Sequence, residues 1–157
     1  MTDILTPEER SRVMSRIRGR DTQMEVWLRK RLFARGLRYR IHVKSLPGRP
    51  DLVLRKYGAV IFIHGCFWHG HDCHLFRLPA TRTNFWRDKI LSNRHRDRRN
   101  VEALRKDGWR VLEIWECSWR GKTRQDPEKT VARVAEWLEQ GEAVESITGR
   151  PEKGQAA

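Results

Sequence analysis

The chain has 157 residues, enough for one ordinary domain with its own hydrophobic core, and a formal net charge of +13 at pH 7. Its apolar runs fall well short of the ~18 residues that a membrane span needs, and residues 1–9 are too polar and acidic for a secretion signal. These features argue against a membrane protein and predict a cytoplasmic one with reduced cysteines, and the positive charge favours nucleic acid as the partner over a merely solvated basic surface.

Two helices are predicted at the start of the chain. Residues 6–9, Thr-Pro-Glu-Glu, combine an N-cap, a first-turn proline and a capping-box glutamate, and the short helix that follows should stop near Gly19. A second helix starts at 21–25 and ends at Gly36, a typical C-terminal glycine. Its apolar face is formed by Met24, Trp27, Leu28 and Leu32.

A turn and a hairpin follow these helices. Residues 37–43 alternate weakly between polar and apolar, which predicts an edge strand, and the two prolines and the glycine of 46–50 predict a turn. The apolar segments 52–54 and 59–63 flank a second turn at 56–58. We expect them to form a hairpin of two buried strands.

The second half of the chain alternates between helix and strand. Residues 84–107 predict a helix that is polar in its middle and ends at Gly108, and the apolar segment 109–115 predicts the next strand. The pair Asp126-Pro127 caps a last helix.

The order of these elements predicts one domain. Residues 1–140 form a single mixed α/β unit without an internal repeat. Residues 141–157 show no periodicity, so we expect this tail to be disordered.

Residues 63–74 hold four of the six histidines and two of the three cysteines, and such a density indicates a metal or a reaction. Three thiols would supply three of the four ligands of a structural zinc, and a nearby histidine the fourth. The candidates are Cys66, Cys73 and Cys117, with one of His69, His71 or His74. The alternative is that the cysteines are small buried hydrophobic residues.

A second candidate site lies at one end of the predicted hairpin. Asp51 begins its first strand and His64 ends its second, so both side chains project from the same end of the sheet. A carboxylate there can hold Mg²⁺, and neutral imidazoles such as His64 and His69 can exchange a proton near pH 7. Ordinary roles compete: Asp51 as a strand cap, and Glu25 as the partner of Thr22 in a capping box.

Aromatic rings stand inside and beside the polar loop. Rings in such positions can enter a base stack, at a cost of a few kcal/mol that is smallest at a mismatch, although core packing is the alternative. These rings are Phe67, Trp68 and Trp86. With the net charge of +13, the polar helix face is better explained by phosphate contact than by solvation alone. That face is formed by Lys89, Asn93, Arg94 and Arg96.

Four motifs carry a resemblance that covers roughly residues 8–140. They are Leu-Pro-Gly-Arg-Pro-Asp at 46–51, Val-Ile-Phe-Ile-His-Gly-Cys-Phe-Trp-His at 60–69, Pro-Ala-Thr-Arg-Thr-Asn-Phe-Trp at 79–86, and Gly-Trp-Arg-Val-Leu at 108–112 with Trp-Glu-Cys at 115–117. In these motifs the chain resembles the very short patch repair DNA mismatch endonucleases. The resemblance implies a restriction-endonuclease-like fold, a mixed β-sheet flanked by helices with a structural zinc. It also implies Mg²⁺-dependent nicking 5′ of the thymine in a T:G mismatch left by deamination of 5-methylcytosine.

The resemblance also assigns roles to individual residues. Asp51 and the backbone carbonyl of Ile63 hold Mg²⁺, His64 and His69 are the catalytic imidazoles, and Glu25 is a supporting acid. The zinc ligands are Cys66, His71, Cys73 and Cys117. The DNA contacts are Met14 in an N-terminal helix within residues 1–20, the rings of Phe67, Trp68 and Trp86, and Lys89 with Asn93. On this assignment His71 completes the zinc site and His69 remains available for chemistry.

One residue departs from the family's pattern. Residue 63 is Ile, where the family suggests a small polar residue such as Thr. If the metal binds the backbone carbonyl the change is harmless, whereas a need for the hydroxyl would weaken Mg²⁺ binding. His64 stands where nucleases of this superfamily usually carry a lysine.

The implied partner is double-stranded DNA with a T:G mismatch, met at the nucleoid in a bacterial cytoplasm. Mismatch-repair proteins are candidate recruiting partners, and a monomer is expected because a nick needs one active site. The rival from another class is a non-catalytic, zinc-stabilised DNA-binding module, against which Asp51 argues because a carboxylate repels phosphate. A nicking or restriction enzyme of another specificity is the alternative among nucleases.

Overall fold

The structure is a computed structural model and describes residues 22–151. The helix predicted to start at residue 6, and with it Met14, lies outside the described residues, as does the end of the chain from residue 152. Among the described helices, none is long and apolar enough to cross a membrane.

Within the described residues, five strands form one mixed sheet in chain order. They are β1 (Arg40–Ile41), β2 (Leu52–Leu54), β3 (Ala59–His64), β4 (Arg110–Trp115) and β5 (Val144–Ile147). The first three strands pair antiparallel, and β3, β4 and β5 run parallel. The predicted hairpin is confirmed, with Leu52 opposite Ile61 and a single 3-10 turn, Arg55–Tyr57, between its strands. The predicted edge strand is confirmed but has only two residues.

Three helices accompany the sheet in the described part of the chain. They are α1 (Gln23–Ala34), α2 (Thr83–Lys106) and α3 (Pro127–Gln140). Their ends follow the predicted capping residues: the side chains of Thr22 and Asp126 cap α1 and α3. Gly36, with φ of +86°, lets the chain leave α1, and the Leu37 N–H then donates to the Leu32 carbonyl.

The helices pack on opposite faces of the sheet. Alternate residues of β2 and β3 face α1 and α3 on one side and α2 on the other. The larger core includes Leu28, Leu32, Leu52, Ile61, Leu112, Ile114, Val134 and Leu138. The smaller core, under α2, is formed by Val53, Val60, Phe62, Leu104 and Val111. The domain is therefore a mixed α/β layer structure, as predicted.

The prediction of a disordered tail from residue 141 is wrong for Val144–Ile147. This segment is β5, which pairs parallel with β4 and buries Ile147 to 1% exposure against the larger core. The four residues have too little length for a readable alternation, and three of them are exposed or half-buried. The backbone hydrogen bonds of this strand come from its pairing with β4, and its side-chain pattern gives no signal of that pairing.

Candidate active site and metal centres

An open cleft of about 1270 Å³ crosses the molecule where the first turn of α1, the ends of β2 and β3 and the middle of α2 meet. Its walls include Glu25, Asp51, Ile63, His64, Phe67, Trp68, His69, Asn93 and Asp97. Residues separated by more than seventy positions thus share one surface. The predicted carboxylates, imidazoles and two of the predicted rings line the same cleft.

At one end of the cleft, two carboxylates and one imidazole converge. The side chains of Glu25, His42 and Asp51 each offer a ligand atom within 4.8 Å of the others. The His42 Nε2 lies 3.4 Å from a Glu25 carboxylate oxygen, and its Nδ1 lies 3.8 Å from an Asp51 oxygen. The Ile63 N–H donates to Asp51 Oδ2 at 2.6 Å, which fixes this carboxylate at the end of the hairpin.

Local structure explains how these three side chains meet. Glu25 lies in the first turn of α1, and its N–H donates to the Thr22 hydroxyl as in half of a capping box. Its carboxylate is turned towards His42, and the residue is only 5% exposed. His42 follows β1 with a φ of +48°, and its N–H donates to the Asp51 carbonyl at 3.3 Å. Capping and a place in the cleft are therefore compatible for Glu25.

The electrostatics of this cluster fit a divalent cation. Burial, and then the neighbouring Glu25 carboxylate, raise the pKa of Asp51 from 3.8 to about 7. A bound cation removes this cost, because it replaces water around the charge and attracts both carboxylates. Carboxylate oxygens are the ligands that Mg²⁺ prefers. The residues present therefore suit a hard divalent ion.

The two predicted catalytic imidazoles lie against each other in the cleft. The ring centroids of His64 and His69 are 4.0 Å apart, and each ring is held by its own carboxylate. His64 Nε2 lies 2.9 Å from Glu113 Oε2, and His69 Nδ1 lies 2.5 Å from Asp97 Oδ2. An Nδ1–H donated to Asp97 leaves Nε2 of His69 as the nitrogen that can accept a proton.

Burial keeps His64 uncharged. It lowers the pKa of His64, and the Glu113 carboxylate opposes this shift by a hydrogen bond. Phe62 stacks on the imidazole with 5.4 Å between ring centroids and so covers one face of the His64 ring. A neutral His64 that donates to Glu113 keeps its second nitrogen as a hydrogen-bond acceptor.

A second group of possible metal ligands does not line the cleft. Cys66, His71, Cys73 and Cys117 bring their ligand atoms within 4.8 Å of one another. His71 Nδ1 is 3.6 Å from Cys66 Sγ and 3.5 Å from Cys117 Sγ. Of the three candidate histidines, His71 is the one at the thiols. His69 contacts Asp97, and His74 lies 3.5 Å from the Thr123 hydroxyl.

The surroundings of these thiols suit a bound metal. Burial raises the pKa of the Cys66 and Cys117 thiols, so both resist ionisation without a cation. Two backbone N–H groups donate to sulfur at 3.3 Å: Cys117 to Cys66, and Gly149 to Cys117. Donors aimed at sulfur stabilise a thiolate, and three thiolates with one imidazole form a donor set typical of structural zinc.

Gly149 offers a test of this close approach. A Cβ at position 149 would lie 2.7 Å from the Cys117 carbonyl and would also overlap the Thr123 hydroxyl. We expect Gly149→Ala to lower the free energy of unfolding by about 1–3 kcal/mol, because the crowded backbone must move away from Cys117. Urea denaturation measures the change. Gly65→Ala is the control, since its Cβ would meet nothing closer than 3.7 Å, and equal losses in both proteins would contradict the prediction.

The aromatic residues predicted to contact DNA form one cluster. Phe67 lies 5.1 Å from Trp68 and 5.7 Å from Trp86 between ring centroids, and all three rings are half-buried. The Asn93 side-chain amide donates to the Trp68 carbonyl at 2.9 Å and so ties the loop to α2. Lys89 is half-buried on the same helix.

Three residues that contact the carboxylates and imidazoles of the cleft were missed by sequence reasoning. Glu113 interrupts an apolar strand on the α2 side of the sheet, and that interruption is a signal that could have identified it. Asp97 lies among many charged residues of α2 and has no local signal of its own. His42 is an isolated histidine after a two-residue strand, and only the pairing of β1 with β2 brings it to Asp51.

Comparison with known proteins places the chain among DNA endonucleases. Residues 2–75 match the family model described as DNA mismatch endonuclease Vsr. The chain is 48% identical to the DNA mismatch endonuclease Vsr of Escherichia coli K12, over 88% of each protein. It is 48% identical to the type II nicking enzyme V.NmeAIP of Neisseria meningitidis, over 78% of this chain and 87% of that protein. For V.XorIIP of Xanthomonas oryzae the identity is 46%, over 74% and 86%.

Proposed function

The chain belongs to the Vsr family of DNA mismatch endonucleases and is a DNA endonuclease, and from this premise we propose its specific reaction. It binds double-stranded DNA at a T:G mismatch and, with Mg²⁺, hydrolyses the phosphodiester on the 5′ side of the thymine. The nick starts very short patch repair of deaminated 5-methylcytosine. One cleft is enough for one nick, so the chain acts as a monomer, and mismatch-repair proteins are the partners that would recruit it.

One observation carries this proposal: a cation-suited carboxylate cluster, a pair of carboxylate-held imidazoles and half-buried aromatic rings line a single cleft. A module that only binds DNA gains nothing from a buried Glu25 carboxylate beside a half-buried Asp51, since both repel phosphate. Hydrolysis uses all three features, because it needs a cation, a proton acceptor and a way to hold the distorted duplex.

In the proposed mechanism, Asp51 and Glu25 would hold Mg²⁺, with the backbone carbonyl of Ile63 as a further ligand. The ion would supply positive charge that offsets the charge developing on the phosphate and on the departing 3′ oxygen. His69 accepts a proton at Nε2 from the water that attacks phosphorus. The bond from phosphorus to the 3′ oxygen breaks, and that oxygen takes a proton from solvent to become a hydroxyl. Asp97 holds the ring in the tautomer that this step needs.

The rings of Phe67, Trp68 and Trp86 are proposed to enter the base stack beside the mismatch. Unstacking costs a few kcal/mol and least where pairing is already poor, which supports selectivity for a mismatch. Lys89 and Asn93 are proposed to face the mismatched pair from α2. The net charge of +13 supports contact with the phosphates on both sides.

Zinc is proposed as the ion held by the three cysteines and His71. It has no part in hydrolysis on this proposal and acts through the loop after β3. That loop carries Cys66 and His71 as ligands, and between them Phe67, Trp68 and His69. A fixed loop keeps Nε2 of His69, the proposed proton acceptor, and the aromatic rings in place.

We predict that Asp97→Asn lowers the nicking rate by about 10- to 100-fold and leaves mismatch affinity within about twofold. An amide can present its NH₂ to His69 Nδ1 and thereby favour the tautomer that has no acceptor at Nε2. Single-turnover nicking and DNA titration measure the two quantities. Asp88→Asn, at an exposed position on the same helix, is the control. An Asp97→Asn protein that nicks at the native rate would remove Asp97 from the mechanism.

A strand-resolved nicking assay tests the function itself. Duplexes with a T:G mismatch and fully paired duplexes, each in several flanking sequences, are incubated with Mg²⁺ or with EDTA. We expect one cut, 5′ of the mismatched thymine, in the presence of Mg²⁺ alone. Tight mismatch binding without a cut in any sequence would favour the non-catalytic binding module. Equal cutting of paired DNA would favour an endonuclease of another specificity.

A further inference from the structure

His42 occupies a place in the carboxylate cluster that the proposed mechanism does not use. Its two ring nitrogens lie 3.4 Å from Glu25 and 3.8 Å from Asp51, and its side chain is 10% exposed. It comes from the segment after β1, whereas the other two come from α1 and the start of β2. Three separate parts of the chain thus supply the cluster, and one of them supplies nitrogen.

The nitrogen changes which cations the cluster suits. Mg²⁺ binds oxygen ligands and keeps several of its waters, so an imidazole adds little to its affinity. Mn²⁺ and the later first-row divalent ions also accept carboxylate oxygens, and they gain from an imidazole ligand. Two carboxylates with one imidazole are therefore a donor set that favours these ions over Mg²⁺.

We propose that His42 is a direct ligand of the cation at Glu25 and Asp51, and that it makes this site bind Mn²⁺ more tightly than Mg²⁺. The role of that cation in nicking rests on the proposed function, but the ligand assignment does not. The distances within the cluster support it, since the three ligand atoms of Glu25, His42 and Asp51 all lie within 4.8 Å of one another.

The competing interpretation is an ion pair. A protonated His42 would neutralise the two carboxylates itself, and a cation would then have to displace it. Under that interpretation, removal of the imidazole strengthens the binding of Mg²⁺ and Mn²⁺ alike. Under the ligand interpretation it weakens Mn²⁺ binding selectively.

His42→Asn separates the two interpretations without disturbing the backbone. His42 has a φ of +48°, and Asn is among the residues that tolerate this left-handed conformation best. Its amide oxygen can still bind a hard cation. The matched control is His95→Asn, which removes an exposed imidazole from α2. Melting temperature and far-ultraviolet circular dichroism verify that each full-length, zinc-loaded protein is folded.

The experiment is a titration with Mn²⁺ followed by electron paramagnetic resonance, in the absence of DNA and with Mg²⁺ as competitor. We expect the native protein to bind Mn²⁺ at least about tenfold more tightly than Mg²⁺, and His42→Asn to reduce this ratio by about tenfold. Pulsed measurements on bound Mn²⁺ should detect the nitrogen of a coordinated imidazole in the native and His95→Asn proteins. That signal should be lost in His42→Asn.

An unchanged ratio, a nitrogen signal that persists in His42→Asn, or tighter binding of both ions would each overturn the inference. If the protein binds Mn²⁺ through His42 but never nicks mismatched DNA, the inference stands and the proposed function is wrong. If the native protein nicks with Mg²⁺ but its preference between Mn²⁺ and Mg²⁺ does not depend on residue 42, the proposed function stands and the inference is wrong.

Discussion

We expect an Asp51→Asn protein to nick a T:G mismatch at least about a thousandfold more slowly than the native protein, with mismatch binding within a few-fold of native. The amide can still accept the hydrogen bond that the Ile63 N–H donates at 2.6 Å, so the end of the hairpin keeps its shape. It cannot replace a carboxylate as a charged ligand of the cation. Single-turnover nicking and DNA titration measure the two effects.

The same substitution has a predictable effect on stability, which separates lost chemistry from lost structure. Burial and Glu25 raise the pKa of Asp51 from 3.8 to about 7, so the ionised carboxylate destabilises the metal-free folded protein. This destabilisation is absent below pH 3.8, grows as the pH rises towards 7, and is fully present above it. Asp51→Asn should therefore melt at a higher temperature than the native protein at pH 8 without divalent metal.

Asp107→Asn is the control for both measurements, because Asp107 is exposed at the end of α2. It should leave rate and melting temperature unchanged. Native nicking by Asp51→Asn would remove this carboxylate from the mechanism. A lower melting temperature would instead show that its charge is stabilised in the metal-free protein.

The second large effect is expected at the proposed zinc ligands, Cys66, His71, Cys73 and Cys117. If they hold zinc as proposed, His71→Asn should lose zinc, melt about 10 °C or more below the native protein, and lose nicking together with zinc. Nicking should be lost because the loop that carries His71 also carries His69 and the rings of Phe67 and Trp68. Without a metal, the buried thiols of Cys66 and Cys117 and the half-buried thiol of Cys73 have no cation to share. The loop would also lose its metal link to Cys117, which follows β4.

His74→Asn is the matched control, since His74 lies in the same loop but contacts Thr123 instead of the thiols. It should retain zinc and activity. A second measurement avoids variants altogether: zinc is stripped from the native protein by chelation, and nicking is assayed in excess Mg²⁺ with and without added zinc. Full nicking by a zinc-free protein would refute the structural role of this site.

The secondary structure of the described residues was largely predictable because local rules govern it. Thr22 and Asp126 cap their helices by contacts with residues two or three positions away, and such contacts are visible in a short window of sequence. The hairpin of β2 and β3 follows from two apolar segments around a short turn. The error at β5 has the opposite cause, because Val144–Ile147 becomes a strand through its pairing with β4.

The sequence by itself determined the chemistry that the chain can offer: three thiols for a soft metal, a carboxylate and a histidine at one end of a hairpin, and rings within a polar loop. Only the tertiary structure decided which groups are partners. Asp97 reaches His69 across 28 positions and Glu113 reaches His64 across 49, and His42 meets Asp51 through strand pairing. Such contacts depend on packing between elements, and local periodicity carries no record of them.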